Sequence, residues 1–287
     1  MLAMTPALPV VIVCVTSTAA LDACLAALDA NLPASAAVLV ADNANGDPRI
    51  PTLAQRWCQQ TRLSAQYLRC EWPRSRARHR GELLAGHNQS DVVLLDGDAV
   101  PAPGWLQQLM HCAGAHPGIA TLSAWSNGNA LTSFPRFCQD NPLPESLDSM
   151  ATAAARLGIL ELTELPMAQG PCLYLRGEAL RQLGGLDSDT YEALGAEADF
   201  CHRAASMGWR NALCPSAFIG RSEDSQPSEP TGEDLHRLAA RWPEHQERFA
   251  RFLLQDPLRR LREQLVERIA ELAGENQRGG PQGDLFH

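Results

Sequence analysis

The sequence predicts an α/β fold: a mainly parallel sheet flanked by helices, with a C-terminal helical extension. Three observations carry this prediction. Short apolar runs alternate with stretches of helical period through the first hundred residues, which is the rhythm of βαβ units. Thr16, Asp42 and Asp96 each stand just past one of those apolar runs, on the sheet edge where open α/β folds bind ligands. Near residue 222 the composition turns to Ser, Pro, Glu and Asp before amphipathic segments resume.

The elements follow in order. Val10 to Val15 reads as a buried strand, and Leu21, Cys24, Leu25 and Leu28 fall at helical spacing. Ala37 to Val40 is a strand ending at Asp42-Asn43. Leu53 to Cys58 is helical in character, Ala65 to Leu68 is a short strand, and Arg76 to Ala85 is a helix. Val92 to Leu95 is the strand before Asp96-Gly97-Asp98. A helix begins at Trp105 after Pro103-Gly104, and Ile119 to Ser123 is a strand. Residues 138 to 150 read as loop. Cys172 to Leu175 is strand-like, Glu178 to Leu183 is a short helix, and Glu197 to Met207 is a helix stopped by Gly208.

This organisation divides the chain into a main domain over 1–222 and an extension over 223–287. The extension is read as a linker, two amphipathic helices and a disordered Gly- and Gln-rich tail. In the last helix Asp256-Pro257 is the expected start and Gly274 the expected stop. Its apolar stripe of Leu258, Leu261, Leu265, Ile269 and Leu272 is expected to pack on the main domain or on a second subunit as a homodimer. Peripheral contact with a membrane surface is the alternative.

Composition excludes several classes. A formal net charge of −9 argues against nucleic-acid binding through the whole surface. Every basic side chain other than His is Arg, whose planar fork suits phosphate. The nine Cys are odd in number and form no C-x-x-C, which disfavours zinc and fits small buried hydrophobes in a reducing cytosol. The apolar N-terminal stretch lacks a basic leader, and no apolar run spans a bilayer, so the expected location is cytoplasmic.

Three segments carry chemistry. Asp96-Gly97-Asp98 concentrates negative charge at the end of a buried strand. Such charge calls for a neutralising partner, and a hard divalent cation shared with phosphates is one candidate. The plain alternative is a solvated turn. The stretch Arg74-Ser75-Arg76-Ala77-Arg78-His79-Arg80 is strongly basic in an acidic protein. If it is helical throughout, Arg74 and Arg78 share a face, which suits a diphosphate; a solvated basic face is the alternative. Glu197 and Asp199 begin a helix, where the dipole alone favours acids and where one of them can instead serve as a general base.

Together, from about residue 9 to about residue 221, these segments resemble the family 2 glycosyltransferases of the Rossmann-like GT-A fold. Ala41-Asp42-Asn43-Ala44-Asn45 matches a strand-end signature. Leu94-Leu95-Asp96-Gly97-Asp98, with Pro101 and Trp105-Leu106, matches the D-x-D segment and its helix. Gly184-Gly185-Leu186-Asp187, then Glu197 and Asp199, then Gly208-Trp209-Arg210 and Pro215, follow in the family's order. Ser126-Asn127-Gly128 and Ser133-Phe134-Pro135 are similar to members that build bacterial surface polysaccharides.

The resemblance implies inverting transfer of a sugar from a nucleotide-diphosphate donor, UDP- or dTDP-linked, to a hydroxyl of a glycan, lipid-linked or protein acceptor. It places Asp42 at the nucleotide base with Thr16 and Asn43 near it. It places Asp96 by the ribose and metal, and Asp98 on Mn²⁺ or Mg²⁺. Arg74 and Arg78 fall at the nucleotide-binding loop and helix, Asp199 at the substrate side, and Glu197 at the catalytic base. Two departures stand out. Ala196 replaces the usual acid before the base, and Arg221 stands near the place of a metal-binding His. Arg cannot ligate a metal but can neutralise a diphosphate. A catalytically silent module that binds nucleotide-sugar or glycan is the competing expectation.

Overall fold

Val10–Cys14 (β1) is apolar at every position because both faces of this strand are covered. Val11 and Val13 enter one core cluster, and Ile12 and Cys14 enter the other. The computed structural model describes residues 7–158, 162–222 and 230–278.

Ser17 caps Thr18–Asn31 (α1) by accepting the Ala20 N–H, and Leu21, Leu25 and Leu28 bury the helical stripe. Each of these leucines contributes about 1.5–3 kcal/mol by leaving water. Ala37–Asp42 (β2), Arg49–Gln60 (α2), Ser64–Arg69 (β3), Arg76–His87 (α3) and Val92–Asp96 (β4) complete the first half. The strands β3, β2, β1 and β4 pair in parallel. Asp42 and Asp96 therefore end parallel strands on one edge, with Thr16 just beyond β1 between them.

The second half comprises Ala99–Pro101 (β5), Trp105–Ala115 (α4), Ile119–Trp125 (β6), Leu147–Ala155 (α5), Cys172–Leu175 (β7), Gly177–Leu183 (α6), Gly195–Ser206 (α7) and Arg210–Arg221 (β8). The eight-stranded sheet has the order β3-β2-β1-β4-β7-β6-β8-β5. The strand β7 runs antiparallel between β4 and β6, and β5 runs antiparallel to β8. The remaining pairings are parallel, so the expectation of a mainly parallel α/β sheet holds.

Several local expectations are corrected. The segment read as loop over 138–150 gives way to α5 at Leu147, capped by Ser146. The strands β5 and β8 are additions to the elements expected from the sequence. Pro215 hides β8, and it is tolerated because the strand bulges there: Cys214 pairs with Ala124 while Phe218 pairs with Trp125.

The extension contains three helices among the described residues rather than two: Gly232–Arg241 (α8), His245–Gln255 (α9) and Arg259–Arg278 (α10). Asp256 takes a left-handed conformation that closes α9 instead of opening the last helix, and α10 runs through Gly274. Leu258 and Leu265 are fully buried, while Leu261, Ile269 and Leu272 pack partly buried on the same core. The stripe is thus covered by the chain itself, against α5 and its surroundings. The linker expected over 222–234 gives way to α8 at Gly232, and its residues 223–229 lie outside the described residues; of the tail expected over the last dozen residues, α10 takes those up to Arg278, and 279–287 lie outside the described residues. Among the described residues no helix is long and apolar enough to cross a membrane.

Candidate active site

Asp42 ends β2 with its carboxylate fully buried. Oδ1 accepts the Asn45 N–H at 2.8 Å, and Oδ2 accepts from the Tyr67 hydroxyl at 2.7 Å and from Arg69 Nη1 at 2.5 Å. Burial, with the bond to Asp42 behind it, pushes the Tyr67 hydroxyl up to about 12. Asn43 clips the loop before α3 by exchanging two hydrogen bonds with the backbone of Arg74. The Thr16 carbonyl accepts from Asn45 Nδ2 at 2.6 Å. Thr16, Asp42 and Asn43 therefore come together at one corner of the sheet.

Gly97 makes the next turn feasible. Its N–H donates to the Cys14 carbonyl at 2.7 Å, and a Cβ there would meet Cys14 O and Thr16 N at 2.9 Å. Only glycine lets the D-G-D turn press against the end of β1. Asp96 lies on one side of that turn and Asp98 on the other, and both are buried.

Ser75 caps α3 by accepting the Arg78 N–H, which leaves Arg74 outside the helix. The pair that shares the inward face is consequently Arg76 and Arg80. Arg80 donates Nη1 to Glu197 Oε1 at 3.0 Å and Nη2 to Asp96 Oδ1. Arg76 lies 3.3 Å from Asp96 Oδ1 and 3.5 Å from Glu197 Oε1. Burial pushes the Asp96 carboxyl up, but Arg76, Arg80 and Arg221 outweigh it and hold that group below the usual carboxylate range. Arg74 pairs with Glu82, and Arg78 reaches exposed Asp189, so neither joins Asp96 or Glu197.

The last corner comes from β8 and α7. Pairing of Ala99 with Arg221 brings the Arg221 guanidinium to Asp98, Nη2 to Oδ2, at 2.6 Å. Asn127 holds Arg221 in place by bonding both its backbone N–H and its carbonyl. Glu197 sits in the first turn of α7, where the dipole stabilises its charge. Asp199 is turned elsewhere: it accepts from Arg203 at 2.7 Å and from Trp242 Nε1 at 2.9 Å, tying α7 to the extension. Asp234 of α8 ties it again by accepting the backbone N–H groups of Glu192, Ala193 and Gly195.

Three carboxylates and three guanidiniums thus form one cluster, buried except at the partly exposed Arg76. Two of its carboxylate oxygens, Asp98 Oδ1 and Glu197 Oε2, are buried without a hydrogen-bond partner among the described residues. A cavity of about 280 Å³ opens beside the cluster, lined by Arg76, Asp96, Gln169, Leu194 and Arg221 among others. The arrangement can take up an anion on its guanidiniums and a proton on a carboxylate. It is a poor fit for the expected Mn²⁺ or Mg²⁺. A guanidinium already holds the other oxygen of Asp98, two more hold Asp96, and no group of three His, Cys, Asp or Glu able to hold a metal occurs among the described residues.

Sequence reasoning missed Arg76, Arg80, Asn127 and Asp234. The Ser75 cap was the readable signal for the first two. Asp234, by contrast, lies 39 residues beyond the Gly195 N–H that it accepts at the start of α7, and no local pattern links the two.

This is the fold of the nucleotide-sugar transferases of the GT-A type. Residues 6–243 match the family described as "Glycosyltransferase like family 2", and the chain belongs to that family of enzymes. No curated protein sequence matches it. Solved structures with a similar fold include GalNAc-T7 with UDP, GalNAc and Mn²⁺, at 14% identity and TM-score 0.62, covering 96% of this chain and 58% of that one. A mannosyltransferase from Pyrobaculum calidifontis with GDP-Man and Mn²⁺ has 16% identity and TM-score 0.53, covering 95% and 76%. S. aureus TarS (residues 1–349) with UDP-GlcNAc has 15% identity and TM-score 0.51, covering 76% and 60%. The chain thus spans less than two thirds of the first and third of these.

Proposed function

We propose that the chain is an inverting glycosyltransferase that moves a sugar from a nucleoside-diphosphate donor, UDP- or dTDP-linked, to a hydroxyl of a glycan, lipid-linked or protein acceptor. The observation that carries this reading is Glu197. One of its oxygens is fixed by Arg76 and Arg80, and the other is buried with no partner among the described residues. A carboxylate held by one oxygen and unbonded at the other keeps a place for a proton.

In this reading the nucleoside lies at the Thr16–Asp42–Asn43 corner, where Asp42 orients Tyr67 and Arg69. The diphosphate lies against Arg76, Arg80 and Arg221. Glu197 Oε2 takes the acceptor's hydroxyl proton as that oxygen bonds to the anomeric carbon. The bond from that carbon to the diphosphate oxygen breaks on the opposite face, and the guanidiniums stabilise the charge on the departing nucleoside diphosphate. Mn²⁺ accompanies nucleotides in two of the neighbours. The charge that such an ion would neutralise on a leaving diphosphate can here be met by the guanidiniums of Arg76, Arg80 and Arg221.

The test is release of nucleoside diphosphate from a panel of UDP-, dTDP- and GDP-sugars, with and without sugar acceptors. Turnover supports transfer. Binding without any turnover, even slow hydrolysis, favours the silent module, for which the 3% exposure of Glu197 beneath its arginines speaks.

A further inference from the structure

Resting on the donor site proposed above, we infer that Arg221 is its resident cation, so that the nucleoside diphosphate binds through guanidiniums and does not require a divalent metal. The Arg221 side chain is 8% exposed and that of Asp98 2%, and Nη2 meets Oδ2 at 2.6 Å. Its backbone is fixed by β5–β8 pairing and by Asn127, and its side chain is held by burial and by the pair with Asp98. Arg221 lines the cavity together with Arg76 and Asp96. Its Nε–H is buried without an acceptor among the described residues, so a donor group is already desolvated and unfilled beside the cavity. A buried donor of this kind is costly until an acceptor arrives, and a phosphate oxygen is the acceptor that a guanidinium fork fits best.

The same geometry works against a metal. A cation coordinated to Asp98 Oδ1 at about 2.1 Å would sit only about 4–5 Å from the guanidinium on the other oxygen of that carboxylate, with little water to screen the two. Arg80 and Arg76 meanwhile neutralise Asp96 and Glu197, removing the uncompensated charge that would draw a cation in. A diphosphate resolves both problems, since it meets the open Nε–H and shares the guanidiniums without adding positive charge.

Calorimetry with UDP, GDP and inorganic pyrophosphate, each in EDTA and again in Mn²⁺, tests this on the whole chain. The expected result is that at least one probe binds and that its Kd in EDTA lies within about threefold of that in Mn²⁺. Arg221→His offers a metal ligand in place of a fixed cation. It should weaken binding in EDTA by about tenfold or more and regain affinity with Mn²⁺, whereas Arg221→Lys should keep metal-independent binding. Thermal melts establish that each variant is folded. A wild-type Kd more than about tenfold weaker in EDTA than in Mn²⁺ overturns the inference and leaves the proposed function standing. If no probe binds folded wild-type protein in either condition, the donor site itself fails, and the inference with it.

Discussion

Asp42 and Asp98 lie on one sheet edge, both buried, and they are treated differently. Both oxygens of Asp42 have protein donors, from Asn45, Tyr67 and Arg69. Asp98 keeps one oxygen without a partner among the described residues, and Glu197 across the cluster does the same. An unmatched buried polar atom costs about 1–3 kcal/mol, so a chain able to satisfy Asp42 completely has left two others open at a price in stability. The finished corner is architecture that presents Tyr67 and Arg69. The unfinished corner leaves two carboxylate oxygens without a partner among the described residues, which is what the proposed donor and acceptor site calls for.

Mutation can break this contrast, most strongly at Glu197. Glu197→Gln retains shape and loses the base, so transfer should fall by about 10²–10⁴-fold with nucleotide affinity unchanged. Turnover by that variant at the wild-type rate would remove Glu197 from the base role. Arg80→Met strips the shared partner from Asp96 and Glu197 and should cost roughly 3–5 kcal/mol in urea unfolding, because two buried carboxylates lose compensation. A loss under about 1 kcal/mol would mean that Arg76 alone neutralises both.

Acid provides a probe between the two corners. Burial, with Arg80 and Arg74 nearby, lowers His79 to about 4. Burial lowers His202 likewise to about 4, and it also lowers its neighbour His245. Since these groups stay neutral in the native state, the unfolded chain binds more protons as pH falls below about 6.5. Stability should be level from about pH 8 down to about 6.5 and decline from there to about pH 4, with Tm falling by more than about 3 °C. The depressed Asp96 group adds a further loss only below about pH 4, as it protonates. A Tm that is level from about pH 7 to about pH 5 would show that these histidines are not held neutral. The smallest effect is expected at the finished corner. Tyr67→Phe removes one of three donors to Asp42 and should cost about 1 kcal/mol, with kcat unchanged.

The sheet was legible where each strand is buried on both faces, since Val10–Cys14 and Val92–Asp96 are continuous apolar runs. It was illegible at β8, where Pro215 punctuates a bulge, and at β5, which is too short to show a period. Within the site, Asp42, Asp96, Asp98 and Glu197 stand at ends of strands or helices, which spacing reveals. The arginines were harder to assign. Arg74, Arg76, Arg78 and Arg80 alternate along one short stretch, and which of them face inward depends on the helix starting at Ser75, a single hydrogen bond in the register. The contribution of α8 was hidden entirely, because contacts between distant segments leave no periodic mark.

That contribution bears on how the protein is made. Asp234 receives three N–H groups at the start of the helix that carries Glu197, and a Cβ on Gly195 would strike its carboxyl at 2.8 Å. Synthesis runs from the N-terminus, so every strand of the sheet leaves the ribosome before this anchor does. A nascent chain ending at residue 222 has all eight strands of the sheet but lacks the clasp on the helix that carries Glu197. The helix that carries Glu197 is therefore clasped by a segment made after all eight strands, and the division drawn at 222 falls between that helix and its clasp.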